Sequence, residues 1–172
     1  MKKRALGNDL AHGILNSIKA SIDDNHQKNL NNLIIDPMED EDLVDLITME
    51  KDDKIKLHID NKLNRIFSSG QRIALVKSIS VVPATSMLLF YTYGDDLLSA
   101  KYPGVIILMT LNLNEIIEKN SEKREMLMKS QSKLTGFIES YLFKIWSKQV
   151  GEDQLRPLFT RIANNVVLVN NE

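Results

Sequence analysis

The sequence contains no cysteine, so disulfides, thiol nucleophiles and cysteine metal sites are excluded. Neither sign of charge dominates. Twenty-two Lys and Arg stand against 23 Asp and Glu, a formal net charge of −1, which leaves no global field directed at nucleic acid or a membrane surface. The longest apolar runs are five residues, far short of a transmembrane segment. Met1-Lys2-Lys3-Arg4 is basic, but Ala5 to Ala20 lacks the continuous apolar core of a signal peptide. Together these features predict a soluble cytoplasmic protein; an injected or phage-encoded protein would read the same.

Catalytic signatures are missing as well. There is no GxGxxG or GxxxxGK loop to cradle phosphates, and Ser68-Ser69-Gly70 reads as a helix end rather than a nucleophile turn. His12, His26 and His58 fall in different elements without HxxxH or HExxH spacing, so no metal site or cofactor is implied. No internal repeat or long linker divides the chain. At 172 residues and 43% hydrophobic content it can bury a core, and a single domain over 1–172 is expected.

The strongest apolar signal lies between Ser86 and Val150. Met87-Leu88-Leu89-Phe90-Tyr91 and Val105-Ile106-Ile107-Leu108-Met109 read as strands joined across a turn at Tyr93-Gly94-Asp95-Asp96. Beyond them Ile116, Ile117, Leu127, Met128, Leu134, Ile138, Leu142, Ile145 and Trp146 recur at helical spacing. This predicts a mostly helical stretch over 115–149, broken or bent between Asn120 and Arg124 or at Gly136.

Elsewhere the pattern is mainly helical. Leu6, Leu10, Ile14, Ile18 and Ile22 give a first amphipathic helix over 5–23, suited to docking on the body of the domain or pairing with a partner or second copy. Asp36, Pro37 and Glu39 have the order of a helix start, with Asp36 as cap and the helix reaching about Glu50. Ile55, Ile59, Leu63, Ile66 and Phe67 predict a helix closed at Gly70. Ile73 to Val82 reads as a helical turn entering a first strand. A short helix follows over 152–162, and Val166-Val167-Leu168-Val169 could add a last strand. The fold class is thus α+β and mostly helical, with N-terminal helices, a small antiparallel sheet over about 77–113, and a long helix after it; all-α is the alternative.

Two charged surfaces stand out. Between Asp36 and Asp60 there are ten acidic residues against three lysines, with Glu39, Asp40, Glu41, Asp42 and Asp45 on the exposed side of the helix that Asp36 opens. This is either a solvated face that complements the helix N-terminus or a surface for a basic partner. The long helical stretch carries Lys123 and Arg124 beside Met128, and methionine-bearing apolar surface adapts to partners.

Tyr93-Gly94-Asp95-Asp96, after an apolar run and before Leu97-Leu98, resembles the metal-binding turn of viral RNA-dependent RNA polymerases. In that family two aspartates at a hairpin tip help to hold a pair of metal ions. The resemblance spans about a dozen residues and implies at most a metal-dependent nucleotide enzyme using Asp95 and Asp96. Gly-Asp is also ordinary turn chemistry. A helix-turn-helix over 71–92 fits poorly, because Ile79 to Val82 and Pro83 fall where its second helix should begin.

The reading that follows is an intracellular adaptor, chaperone-like or regulatory protein that acts through a protein partner, including homodimerisation. A nucleic-acid-binding transcriptional regulator is the alternative. The candidate interaction surface comprises Glu39, Asp40, Glu41, Asp42, Asp45, Lys123, Arg124 and Met128.

Overall fold

Ile73-Ala74-Leu75-Val76 contains no polar side chain, and all four residues are buried. That is the pattern of a strand covered on both faces, which is how strands of parallel sheets are placed. In the computed structural model, which describes residues 30–94, 100–112, 116–117, 127, 130–163 and 165–167, this strand is the centre of the sheet. β1 (Ile34–Ile35) and β3 (Ile106–Met109) flank β2 (Ile73–Val76), both in parallel, with Ile34 opposite Leu75 and Ile73 opposite Ile106.

Parallel neighbours need crossovers, and the helices supply the first one. α1 (Glu41–Thr48) and α2 (Asp52–Ser68) connect β1 to β2. Ile55, Ile59, Leu63, Ile66 and Phe67 of α2 are buried, as their spacing predicts. Gly70 closes the helix region with φ +86, a backbone that side-chain-bearing residues rarely adopt.

The sheet corrects the expected one in direction and in membership. It is parallel rather than antiparallel, and Met87 to Tyr91 is helical: α3 (Ala84–Met87) passes directly into a 3-10 turn over Leu88–Tyr91. Met87, Leu89 and Phe90 are buried while Leu88 and Tyr91 are half-buried. A run covered on most sides is apolar throughout, so it carries no alternation to separate strand from helix. Pro83 stands in extended backbone just before this helix. The order within 73–82 is also reversed, since the strand comes first and a 3-10 turn over Ile79–Val81 follows.

The second helix starts later than its sequence suggests. Asp36 accepts from the Met38 amide at 3.0 Å, and its carbonyl accepts from the amides of Glu39 and Asp40, which makes a turn. Asp40 is the cap of α1, accepting from the Leu43 amide at 3.4 Å. Within the predicted 115–149 helix, the structure describes α4 (Gln131–Trp146), whose extended cap Ser130 marks a fresh start; Gly136 lies inside a regular helix. α5 (Glu152–Ile162) follows with Pro157 in its interior. Val166 and Val167 are not in a strand, and Leu168 and Val169, the rest of that expected strand, lie outside the described residues. The expected 5–23 helix, Asp95, Asp96, Lys123, Arg124 and Met128 lie outside the described residues.

α4 and α5 contribute Leu142, Trp146, Leu155, Leu158 and Phe159 to the core. Trp146 is 1% exposed, stacks on Phe159 at 6.1 Å and donates from Nε1 to the Val82 carbonyl at 3.1 Å. α3 packs on α2, and the 3-10 turn that follows it packs on α5. Among the described residues, no helix is long and apolar enough to cross a membrane.

Candidate functional site

In parallel α/β sheets, ligands bind beyond the carboxyl ends of the strands. Here those ends carry Asp36 after β1, Lys77 after β2 and Thr110 after β3. The Lys77 ammonium meets Asp36 Oδ2 at 3.0 Å, and both side chains are nearly buried. Thr110 Oγ1 accepts from the amide of Ser78, which has a left-handed φ of 49. The charges at this edge satisfy one another. Among the described residues, no buried side-chain nitrogen or oxygen lacks a hydrogen-bond partner.

The acidic surface divides into two parts. Glu39, Glu41, Asp42 and Asp45 are exposed, but Asp40 is half-buried and bonded to His58 at 3.1 Å and to Lys62. Burial raises the Asp40 pKa, while Lys62, His58 and the Leu43 amide act in the opposite direction and leave it lowered overall. Ligand atoms of Asp40, Asp42 and His58 lie within 4.8 Å of one another, a spacing that could hold a metal ion. Lys62 is a cation already in place on that carboxylate, so the set reads as a capped and neutralised helix start.

A second polar cluster fastens the segment around Gly94 to α2. Asp60 accepts from the Tyr93 hydroxyl at 2.7 Å and from Lys101 at 3.1 Å, and Asn64 accepts from Tyr102. Burial and then the Asp60 carboxylate push the Tyr93 phenol above its ordinary range, so it remains a donor. Asp60 itself is raised by burial but lowered overall by Tyr93, Lys101 and Asn64.

A concave feature lies among α5, the 3-10 turn and β3. A cavity of about 170 Å³ is lined by Phe90, Tyr93, Gly94, Val105, Ile107, Met109, Arg161 and Ile162. Five of the lining residues are aliphatic or Phe side chains, and Tyr93 and Arg161 add polar groups. Arg161 sits 5.0 Å over the Tyr91 ring and donates from Nη1 to the Pro157 carbonyl at 3.0 Å. An aromatic platform and a helix carbonyl therefore hold the guanidinium of a residue that borders the cleft.

Of the residues expected at the interaction surface, the described ones, Glu39, Asp40, Glu41, Asp42 and Asp45, do not line this cleft. Asp95 and Asp96 follow Gly94 immediately and lie outside the described residues. Sequence reasoning missed Arg161 because it is a single cation in a short helix. The only local cue was its place near the end of α5, and Tyr91 is far away in sequence.

Among the described residues, a small parallel sheet packed with helices, its buried Lys77–Asp36 charges paired and Arg161 bordering a cleft, defines a mixed helix-and-sheet fold. Residues 42–172 match the family described as lamina-associated polypeptide 1, AAA+ activator domain, and the chain belongs to that family. It is 28% identical over 127 residues to human Torsin-1A-interacting protein 1, covering 70% of this chain and 21% of that protein. With the Bos taurus protein of the same name it shares 30% identity over 128 residues, covering 70% and 20%. The chain thus spans about a fifth of the length of these curated relatives. These matches support a protein-interaction regulator; they lend no support to a specific adaptor or chaperone role, to homodimerisation or to a cytoplasmic setting.

Proposed function

We propose that this domain stimulates ATP hydrolysis by an AAA+ ATPase of the torsin kind, by docking against the ATPase and supplying a cation near its nucleotide. The family match over residues 42–172 is the observation that carries this reading. The relatives' name supplies the kind of partner: those proteins are named for interacting with a torsin.

The chemistry narrows the contact. Phosphoryl transfer is accelerated mainly by charge stabilisation, and an arginine delivered in trans by an activator contributes about 10³–10⁵ in rate. The described arginines are Arg65, Arg72, Arg156 and Arg161. Arg72 reaches back to the Pro103 carbonyl, and Arg156 pairs with Glu152 one helical turn away. Arg65 is exposed at the end of α2. Arg161 alone among them borders the cavity and rests on an aromatic ring. Preorganised cations are the ones that stabilise a transition state.

The test is ATP turnover by a purified torsin titrated with the full chain. A saturable rise in phosphate release is expected, and Arg161→Ala should abolish most of that rise while the complex still forms. A complex that forms without any rise would overturn the reading.

A further inference from the structure

We propose that Tyr91 is a positioning residue that sets the direction of the Arg161 guanidinium. The inference rests on the activation reading for its consequence, though not for its geometry. Tyr91 occupies the last position of the 3-10 turn over Leu88–Tyr91, whose Leu89 and Phe90 are buried in the core. Its hydroxyl donates to the Gln154 carbonyl near the start of α5. Its ring then lies under Arg161 at 5.0 Å, seven residues further along the same helix. Seven residues are about two helical turns, so the tyrosine lies along the flank of α5 with its hydroxyl fixed at one end and Arg161 over its ring.

The stem of Arg161 is constrained by the same segment. A Cβ added at Gly94 would stand 3.1 Å from the Arg161 Cβ and 3.2 Å from the Phe90 carbonyl oxygen. The Gly94 amide donates to that carbonyl at 2.9 Å, so the backbone cannot simply swing away. Arg161 Nη1 in turn bonds the Pro157 carbonyl, which Thr160 Oγ1 also approaches at 2.8 Å. Ring, stem and helix carbonyl thus fix one guanidinium from three directions. An arginine carries several rotatable bonds, and holding it in advance removes entropy that would otherwise be lost when it meets a phosphate.

The experiment uses the full chain carrying Tyr91→Leu, Tyr91→Phe or Gly94→Ala, titrated against a purified torsin hydrolysing ATP. Tyr91→Leu is expected to lower the saturating stimulated rate at least about tenfold, with a half-saturating concentration within about twofold of the parent. Tyr91→Phe keeps the ring and retains most of the rate. Gly94→Ala falls between them. An unchanged rate in Tyr91→Leu overturns the proposal. So does a loss that appears only as weaker binding or a lower unfolding midpoint, and so does a Tyr91→Phe variant as poor as Tyr91→Leu.

A second readout does not depend on the ATPase. The Arg161 Cδ protons should show an upfield ring-current shift by NMR that Tyr91→Phe keeps and Tyr91→Leu removes; its absence in the parent overturns the platform. Should the parent stimulate nothing, the activation reading fails while this spectrum still decides the positioning role.

Discussion

Lys77 meets Asp36 at 3.0 Å and Lys101 meets Asp60 at 3.1 Å, so geometry does not distinguish the two ion pairs. Solvent does. The side chains of the first pair are 4% and 11% exposed, and those of the second 36% and 30%. The first joins the carboxyl ends of β1 and β2 inside the fold. The second pins a surface segment to α2 beside the Arg161 cleft. Coulomb attraction at equal distance is several times stronger where water is excluded, but so is the penalty for an unpaired charge. A buried pair is therefore costly to break by halves, and an exposed one is nearly dispensable.

The largest expected effect comes from halving the buried pair. Lys77→Met leaves Asp36 facing an apolar side chain and should reduce unfolding stability by about 3–5 kcal/mol, read from urea denaturation. Pairing Lys77→Met with Asp36→Leu should recover part of that loss, because no isolated charge then remains. If the double variant were as unstable as the single, the penalty would not be that of a stranded carboxylate. Asp40→Ala should come next, at about 1–2 kcal/mol, since Asp40 caps α1 and accepts from Lys62.

How much of this was legible in the sequence depends on what surrounds each element. α2 was readable because one face is buried and the other wet: Ile55, Ile59 and Leu63 repeat with Lys56 and Asn61 between them. Residues 87–91 were misread because Met87, Leu89 and Phe90 are buried and Leu88 and Tyr91 half-buried, which leaves no clear period. β1 is two residues long and could show no period at all; its pairing with β2 belongs to tertiary structure. The mixed helix-and-sheet class survived these errors, but strand direction did not, because direction depends on where the crossovers run.

The candidate site was less legible still. The acidic residues 39–45 announce themselves as a run, yet the structure turns Asp40 into a cap and leaves Glu39, Glu41, Asp42 and Asp45 exposed. Arg161 announces nothing, since its meaning comes from Tyr91 and Gly94, which the fold brings to it. Runs of charge are visible locally; a single charge held by distant residues is not.

Acid sharpens the comparison at the exposed pair. The folded Asp60 pKa lies below its ordinary value of 3.8, despite the upward push of burial, because Tyr93, Lys101 and Asn64 favour the carboxylate. A lowered folded pKa means stability that is present above the unfolded pKa and is lost as pH falls through the folded one. Parent and Asp60→Asn should therefore differ at neutral pH and converge once the pH drops well below 3.8, as read from urea midpoints across that window. A difference that persists at the acid end would mean that Asn disturbs packing around Tyr93 rather than removing a charge.

The smallest effect is expected from Lys101→Met. The ammonium is one of several partners of Asp60, for Tyr93 and Asn64 also donate to that carboxylate. It also lies 5.5 Å from the Tyr93 ring, and a methionine stem keeps much of that apolar contact. Loss of a half-exposed ion pair should shift stability by about 0–1 kcal/mol, and added salt should shrink the difference further. Against about 3–5 kcal/mol for Lys77→Met, the contrast isolates burial as the variable, since the two bonds have nearly the same length. Equal losses in the two variants would show instead that Lys101 is as deeply integrated into the fold as the sheet ends, and that its contact with α2 carries structural weight the exposed pair alone does not predict.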